Sequence, residues 1–285
     1  MTNLYPVFLR FGAAPAGHRP EAEALFARRQ SLGVATDSAR RALDAALIDT
    51  LASAGVWAKL RFFLMFAAPG VASALIDWTV NHHDPESQGA PAFEADRGLS
   101  FMAVGDRLLS PYNPALDAAV SVGDIAAGVY ARTDGEATGY WDLSAYDDRV
   151  PSALTISVKY NSDATGRGIV ASNSEQNWAF GAAGDGSVRG SSIVSALGGT
   201  RAAYRNGAAA YAAAVVSAAA KPDCGVGIGD GRLVNSAGTL GWNGAPCRRQ
   251  LAYAFVSRGL SGVEAASLHA ACETYLDALG AGVAA

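Results

Sequence analysis

The sequence predicts a mostly β protein, a jelly-roll β-sandwich with a helical block before it and one helix after it. Three observations support this fold class. Beyond residue 91, short runs rich in β-branched or aromatic residues alternate with Gly, Asn, Asp and Ser. Turn signals recur there about every 8–12 residues, as in all-β sandwiches. Residues 200–215 contain Asn206-Gly207, the strongest short hairpin signal. Between residues 36 and 90, and again near the C-terminus, apolar residues recur with helical period instead.

Residues 1–35 mix apolar residues with prolines and show no sustained period. Within them, EAEALFARR has the composition of one or two helical turns. Such a segment buries little surface against itself, so we expect an arm that becomes ordered on a partner. The N-terminus also lacks the basic region and long apolar core of a signal peptide. We therefore expect synthesis in a cytoplasm without secretion by that route.

The predicted helical block spans residues 36–90. Its first helix begins at Thr36 or Asp37 as N-cap and stops at Gly55, with leucines four residues apart on one stripe. A second helix is predicted over VWAKLRFFLMFAAP, with Pro69 as its terminator, and a third, short one over GVASALIDW. The Pro, Gly and Asn residues of NHHDPESQGAP then predict a loop.

Residues 91–285 form the predicted sandwich, and residues 200–215 pose a conflict of local preferences within it. The alanines of TRAAYRNGAAAYAAAV favour a helix, whereas Asn-Gly favours a type I′ turn with φ > 0 at both positions. Because the surrounding chain has the pattern of strands, we expect the hairpin. In that register Tyr204 faces Ala209 and Ala202 faces Tyr211.

A final helix is predicted over residues 262–279, and it closes the sandwich. Ser261 as N-cap and Glu264 at N3 form a capping box, and Gly280 lies where a C-terminal cap belongs. The three cysteines fit neither a zinc site nor a disulfide framework, so we expect thiols. A pairing of Cys224 with Cys247 across neighbouring strands stays open.

The composition excludes several classes of function. Of the 285 residues 50% are hydrophobic and 17% are charged, and the net charge is −4. A mildly acidic chain offers no basic surface for nucleic acid or an anionic membrane. The longest nearly uncharged run, residues 208–220, is too short to span a bilayer.

Several phrases occur in a familiar order: ALIDTLASAGVWAKL, FAAPGVASALIDW, FEADRGLSF, SPYNP, VYARTD, AYRNGAAA and AFVSRGLSGVEAASLHAACETYLDALG. Together they cover residues 42–280. They resemble a family of bacteriophage and prophage virion proteins that carry a concanavalin-A-like, or laminin-G-like, jelly roll. The resemblance implies a β-sandwich in a tail fibre, head fibre or spike, including that of a gene transfer agent, that contacts surface glycan. Residues 1–35 lie outside it and are the candidate segment for attachment to other virion proteins.

One candidate for hydrolytic chemistry lies in FEADRGLS. Some jelly-roll enzymes that cut β-glucans carry Glu-x-Asp-x-Glu on one strand, because alternation points all three carboxylates to one face. Here the pattern is Glu94-x-Asp96-x-Gly98, so the third carboxylate is missing. We expect no catalytic residues, and a turn-proximal acidic pair is the preferred interpretation.

Metal and phosphate sites have weak support in the sequence. The acidic stretch TDGEATGYWDLSAYDDR is a candidate for Ca²⁺, yet it lacks the pattern of a calcium loop. The adjacent side chains of His82 and His83 point apart on an extended loop. GVGIGDG lacks the Lys-Ser/Thr of a phosphate loop, so its glycines predict close strand packing or a bulge. We expect no cofactor.

Two stretches combine aromatic rings with hydrogen-bonding side chains, the mixture that a shallow sugar site needs. Tyr160 and Trp242 are further aromatic candidates for stacking on sugars. The predicted glycan-binding residues are Tyr140, Trp141, Asp142, Tyr146, Asn173, Gln176, Asn177 and Trp178.

The sequence thus favours a virion fibre or spike that binds host polysaccharide, acting as a homo-oligomer or in many copies. A capsule depolymerase of the same fold and an architectural connector that binds no glycan are the alternatives.

Overall fold

Helices cover one sheet of a two-sheet β-sandwich. The computed structural model describes residues 17–135, 141–150, 152–157, 166–172, 178–180, 187–215, 220–244 and 246–283. The predicted fold class, a mostly β sandwich with helices before it and one helix after it in the chain, is confirmed. The helices are α1 (Pro20–Ser31), α2 (Ser38–Ser53), α3 (Val71–Ala74) and α4 (Gly262–Ala278), with 3₁₀ turns at Trp57–Lys59 and Pro114–Leu116.

Eight strands form the first sheet, in the order β13-β12-β11-β6-β17-β4-β3, with β1 paired to β17. All of these pairs are antiparallel. Its strands are β1 (Leu60–Met65), β3 (Ala92–Glu94), β4 (Gly98–Ser100), β6 (Asp124–Ala131), β11 (Gly190–Leu197), β12 (Thr200–Arg205), β13 (Ala208–Val215) and β17 (Gln250–Ser257).

Nine strands form the second sheet, in the order β10-β9-β8-β7-β14-β5-β2, with β15 parallel to β7 and antiparallel to β16. Its strands are β2 (Glu86–Gln88), β5 (Arg107–Leu109), β7 (Leu143–Asp147), β8 (Ser152–Ser157), β9 (Gly166–Ser172), β10 (Trp178–Phe180), β14 (Gly227–Ile228), β15 (Arg232–Val234) and β16 (Leu240–Trp242). One buried cluster between the sheets joins residues of both.

A second buried cluster lies between the first sheet and the helices. Tyr130, Tyr253 and Phe255 contribute to it from the sheet, and Leu268 and Leu276 from α4. The strands of the first sheet therefore carry apolar residues on both faces. This sheet is the middle layer, between the second sheet and the helices. This arrangement leaves the outer face of the second sheet on the side away from the helices.

The helix predicted over residues 56–69 is wrong, because the central part of that stretch is strand β1. Phe62 and Leu64 belong to the cluster between the sheets, whereas Phe63 and Met65 belong to the cluster under the helices. A strand buried on both faces is a continuous apolar run, which periodicity alone cannot distinguish from a buried helix. The third predicted helix shrinks to the single turn of α3.

The prediction that residues 1–35 form an arm separate from the fold is also wrong for those of them that the structure describes. Helix α1 spans three turns, longer than predicted, and buries Leu25 and Phe26 against the helical layer. Arg29, also buried, forms an ion pair with Asp44 of α2. This ion pair ties α1 to the domain.

The predicted helix caps and hairpin are confirmed. Asp37 caps α2 through the Arg40 amide, and the capping box of Ser261 and Glu264 starts α4. Asn206 and Gly207, with φ of 47° and 76°, turn the chain between β12 and β13.

Only one of the two residue pairs predicted for that hairpin is present. Tyr204 faces Ala209 as predicted, but Ala202 faces Ala212, and Tyr211 faces Ala203. An irregularity between Ala203 and Tyr204 shifts the pairing by one residue. Such a bulge leaves no signal in an alanine-rich sequence.

Two further expectations concern thiols and membranes. Cys224, Cys247 and Cys272 are buried free thiols, as expected. Burial raises the pKa of Cys224 to about 11. Of the helices in the described part of the chain, none has the length and apolar character to cross a membrane.

Candidate glycan-binding surface

The structure describes only some of the predicted glycan-binding residues. Tyr140, Asn173, Gln176 and Asn177 lie outside the described residues. Trp178 begins β10, where its backbone pairs with Gly168 of β9. Only the first of the two predicted stretches can therefore be placed as a surface.

Asp142 is removed from the candidate site, because its side chain is fully buried. Its carboxylate accepts hydrogen bonds from Arg249 Nη1 at 2.9 and 3.1 Å, and Arg249 is fully buried too. Asp142 precedes β7 of the second sheet, and Arg249 precedes β17 of the first. The pair is a structural link between the sheets.

Trp141, the neighbour of Asp142, is half-buried and lies against the backbone of Gly231. A Cβ at Gly231 would lie 2.6 Å from Trp141 Cδ1 and 3.0 Å from Asn243 Cβ, so both side chains meet above this glycine. The backbone N–H of Asn243 also donates to Gly231 O at 2.8 Å, and the Asn243 side chain is exposed. An aromatic ring and an amide therefore lie side by side at the surface.

A second indole, that of Trp242, packs on Gly227 of the same glycine-rich stretch, with 2.6 Å between Trp242 Cζ3 and a Cβ built there. Ile228 points into the core between the sheets, so Gly227 presents the outer face of the second sheet. The glycines predicted to permit close packing do so by making room for the two tryptophans. No residue with a side chain fits at either position.

Two guanidinium groups stack on Trp242. The Cζ atoms of Arg107 and Arg232 lie 4.2 and 4.6 Å from its ring centroid. Arg107 Nε donates to Gln88 Oε1 at 2.9 Å, and its Nη1 donates to buried Asp230 at 3.3 Å. Burial lowers the pKa of Arg232, and the charge of Arg107 lowers it further. These contacts fix the ring and the arginines in one arrangement.

Tyr146 lies near the other end of β7. Leu143 and Ala145 face the core, and side chains alternate along a strand. The half-buried Tyr146 ring therefore lies on the outer face of the second sheet. Its Oη donates to Asp148 at 2.7 Å. Tyr146 thus shares a sheet face with Trp242 and Arg107.

The sequence alone does not single out Gln88, Arg107, Asp230 and Asn243, because they come from segments distant in sequence: β2, β5, the turn between β14 and β15, and the residue after β16. Their only local signal is GVGIGDG, which marks a place where large side chains cross the backbone. We name the set formed by Gln88, Arg107, Trp141, Trp242 and Asn243 the tryptophan surface.

The acidic residues weighed for Ca²⁺ have protein partners. Asp134 accepts from Val188 N, Ser187 Oγ and Arg189. Burial opposes its ionisation, but these hydrogen bonds and the charge of Arg189 outweigh it, so its pKa lies below the usual value. Glu136 lies outside the described residues. Among the residues that are described, no three His, Cys, Asp or Glu side chains converge on a metal position.

Glu94 and Asp96 do not share a strand. Glu94 ends β3, whereas Asp96 lies in the turn to β4 with φ of 58°. Gln250 Nε2 donates to Glu94, and Arg40 Nη1 donates to Asp96. The turn-proximal acidic pair is confirmed.

The adjacent histidines separate as expected. His82 is exposed and has φ of 59°, and His83 is half-buried with its ring edge-on to Tyr112 at 5.1 Å. The two rings have different surroundings.

No known protein family and no curated protein matches the chain. Solved structures match its fold at low identity. One is the Trypanosoma rangeli sialidase in complex with 2,3-difluorosialic acid, with 13% identity and a TM-score of 0.52, covering 83% of this chain and 40% of that chain. Another is the binding domain of botulinum neurotoxin serotype D, with 10% identity and a TM-score of 0.52, covering 76% and 52%.

The receptor binding domain of the botulinum neurotoxin C/D mosaic serotype is also similar, with 11% identity, a TM-score of 0.50 and coverage of 75% and 51%. The chain thus spans about half the length of these proteins or less. At such identities the likeness concerns the fold alone, and that fold is a mostly β sandwich.

Proposed function

We propose that the chain is a fibre or spike protein of a phage-like particle and that its sandwich binds host cell-surface polysaccharide for adsorption. The observation that carries the binding part is the tryptophan surface. Sugar rings present apolar C–H faces and a periphery of hydroxyls, so a sugar site needs an aromatic ring beside amide or charged groups.

Trp141 supplies an aromatic ring beside the exposed Asn243 side chain. Asn243 supplies the polar partner beside Trp141. Arg107 supplies another beside Trp242, and its contacts with Gln88 and Asp230 hold its guanidinium in place before any ligand arrives. A site that is already ordered loses little side-chain entropy on binding.

One fold neighbour is a sialidase in complex with 2,3-difluorosialic acid, and this supports a glycan as the ligand class. The assignment to a particle rests on the resemblance to phage and prophage virion proteins. Attachment to other virion proteins is assigned to residues 1–35, with α1 as the part already docked on the domain.

A shallow site of this kind binds one sugar weakly, with a Kd on the order of mM. Useful adhesion therefore depends on many copies or on a homo-oligomer, in which the second contact becomes intramolecular. We expect binding to fall sharply when the chain is presented as a monomer.

The experiment uses the full chain coupled to beads at high density, tested against purified capsule of candidate host cells. Retention of capsule, with no new reducing ends over hours, supports a binding protein. Release of reducing ends would instead identify the depolymerase, and failure to retain any capsule would favour the architectural connector.

A further inference from the structure

A separate pocket, with a volume of about 320 Å³, lies at the end of the sandwich where β4 ends and β17 begins. It is lined by Ser100, Met102, Thr133, Gly135, Arg248 and Gln250. None of these residues belongs to the tryptophan surface. Small-molecule sites commonly measure about 300–1,000 Å³, so the pocket matches a ligand of the size of one sugar unit.

Hydrogen bonds fix the chain segments that form the pocket. Arg248 N donates to Phe101 O at 2.9 Å, and Phe101 N donates to Arg249 O at 3.2 Å. Gln250 N donates to Thr133 Oγ1 at 3.0 Å, which joins the start of β17 to the loop that follows β6. The pocket therefore exists before a ligand binds, as such sites commonly do.

Arg248 has a backbone conformation that residues with a side chain rarely adopt, with φ of 51°. A Cβ built at Gly135 would lie 2.7 Å from Arg248 O, so the loop after β6 packs directly against this conformation. Such outliers persist only where the surrounding structure enforces them, and they cluster at binding sites. Here the enforced conformation places an exposed arginine side chain at the pocket.

The guanidinium of Arg248 is available to an anion. In the part of the chain that the structure describes, this side chain forms no ion pair and no hydrogen bond. Two nearby carboxylates are engaged by other arginines, Asp134 by Arg189 at 3.1 Å and Asp142 by Arg249 at 2.9 Å. A guanidinium is planar, and its paired N–H donors match the two oxygens of a carboxylate. Arg248 therefore favours a carboxylate ligand.

Further positive charge lies next to the pocket. Arg132 Nη1 donates to Gln250 Oε1 at 2.7 Å, and Gln250 Nε2 donates to Glu94 at 2.8 Å, so Gln250 links a cation to an anion. Burial lowers the pKa of Arg132, the charge of Arg97 lowers it further, and Glu94 opposes this. The charged side chains connected to the pocket are thus those of Arg248, Arg132 and Glu94, with Arg97 close to Arg132. Positive charge exceeds negative among them, although the net charge of the chain is −4.

The rest of the lining suits the hydroxyls and C–H groups of a sugar. Thr133 is exposed, and its Oγ1 accepts from Gln250 N, which leaves the hydroxyl proton to donate to a ligand. Ser100 supplies a second hydroxyl. Met102 is 57% exposed, and its loop is held by the carboxylate of Asp106, which accepts from Met102 N at 3.1 Å. A thioether side chain adapts to the apolar face of a ring.

The pocket lies at the same end of the sandwich as Trp141 of the tryptophan surface. Trp141 directly precedes Asp142, and Arg248 directly precedes Arg249. The buried ion pair joins Asp142 to Arg249, and neighbouring Cα atoms are about 3.8 Å apart. Trp141 and Arg248 therefore flank this pair, and one polysaccharide chain is long enough to contact both.

We propose that this pocket binds a hexuronate unit of an acidic polysaccharide, with the Arg248 guanidinium paired to the carboxylate and the hydroxyls of Ser100 and Thr133 donating to sugar oxygens. The proposal rests on the proposed function, because it names the class of polysaccharide that the chain would recognise. Neighbouring sugar units would contact the tryptophan surface.

The test uses Arg248→Gln, which removes the charge and leaves the backbone demand of the position unchanged. The matched control is Arg258→Gln, because Arg258 is also exposed and follows the opposite end of β17, roughly 30 Å away. Both variants change the net charge equally, and thermal unfolding confirms that both are folded.

Saturation-transfer NMR on the full chain measures binding of methyl glucuronoside and methyl galacturonoside. Methyl glucoside and methyl galactoside are the neutral comparison. Each titration is run in low salt and in about 1 M salt, because salt screens an exposed ion pair.

We expect at least one uronoside to bind more tightly than its neutral parent and to lose that advantage in about 1 M salt. Arg248→Gln should raise the Kd of that uronoside about five- to tenfold, as loss of one charge-assisted contact does, and Arg258→Gln should leave it unchanged. An equal Kd for wild type and Arg248→Gln would overturn the proposal, as would a preference for the neutral parents or no binding of either uronoside.

Retention of a uronate-containing capsule on beads separates this outcome from failure of the proposed function. If the pocket is wrong and the function right, beads carrying Arg248→Gln retain that capsule as well as wild type does. If the function itself is wrong, wild-type beads retain none.

Discussion

Arg249 and Asp142 form an ion pair across the two sheets, with both side chains fully buried and Arg249 Nη1 2.9 Å from Asp142 Oδ1. Removing one partner of a buried pair leaves an uncompensated charge in the interior. We expect Asp142→Asn to lower the free energy of unfolding by about 3–5 kcal/mol, measured by urea denaturation.

The double variant Asp142→Asn with Arg249→Met should cost less than the sum of the two single variants, because no unpaired charge remains. A loss below about 1 kcal/mol for Asp142→Asn would mean that the carboxylate is solvated, and Asp142 would return to the candidate surface.

Helix α1 provides the second prediction. Leu25 on this helix is 2% exposed, whereas Leu32 at its C-terminal end is 52% exposed. Leu25→Ala should lower the free energy of unfolding by about 2–4 kcal/mol, and Leu32→Ala should change it by less than about 0.5 kcal/mol. If the two variants are equally stable in urea, α1 is not docked and residues 1–35 behave as the separate arm that the sequence suggested.

The turn at Gly207 provides the third prediction, with Gly238 as its control. Their φ angles are 76° and 79°, so an alanine is strained equally at both positions. A Cβ at Gly207 would meet Ala266 Cα of α4 at 3.1 Å, whereas at Gly238 the nearest atom is 3.8 Å away. Gly207→Ala should therefore destabilise the protein by about 1 kcal/mol more than Gly238→Ala in thermal or urea unfolding. Equal losses would place α4 farther from the hairpin.

The fourth prediction concerns pH. His269 Nδ1 lies 3.0 Å from Ser191 Oγ, and the half-buried ring joins α4 to β11. Burial lowers the pKa of His269, the charge of Arg205 lowers it further and Glu273 opposes this, leaving it below the usual value. The unfolded chain therefore binds a proton more readily. The contribution of His269 to stability is complete above about pH 6.5 and is lost as the pH falls below that value.

We expect wild type to lose more stability than His269→Asn does between about pH 7.5 and pH 5, measured by urea midpoints. Identical pH profiles would show that the imidazole has the same pKa in the folded and unfolded chain.

The sequence predicts the elements that depend on a few neighbouring residues, such as turns and helix caps. The Asn206-Gly207 turn and the capping box of Ser261 and Glu264 depend on a few adjacent residues, and both are present. Strand β1 was misassigned because burial of its two faces by different clusters removes any alternation. The docking of α1 on the domain includes a buried ion pair between Arg29 and Asp44, which no local pattern encodes.

The candidate site likewise has residues that the sequence predicts and residues that it does not. Trp141 and the packing role of the glycines follow from the sequence, since rings and glycines are recognisable singly. The role of Asp142 does not, because its partner Arg249 lies 107 residues away. Arg107 reaches Trp242 only through the order of strands in the second sheet.

The most direct measurement of the central claim is adsorption of bead-coupled Trp141→Ala to capsule, beside Val263→Ala, whose side chain on α4 is 78% exposed. Trp141 is half-buried, so thermal unfolding of both variants confirms that they are folded. We predict at least about a tenfold loss of retained capsule for Trp141→Ala and none for Val263→Ala, since weak sites act together. Retention at the wild-type level by a folded Trp141→Ala protein would contradict it.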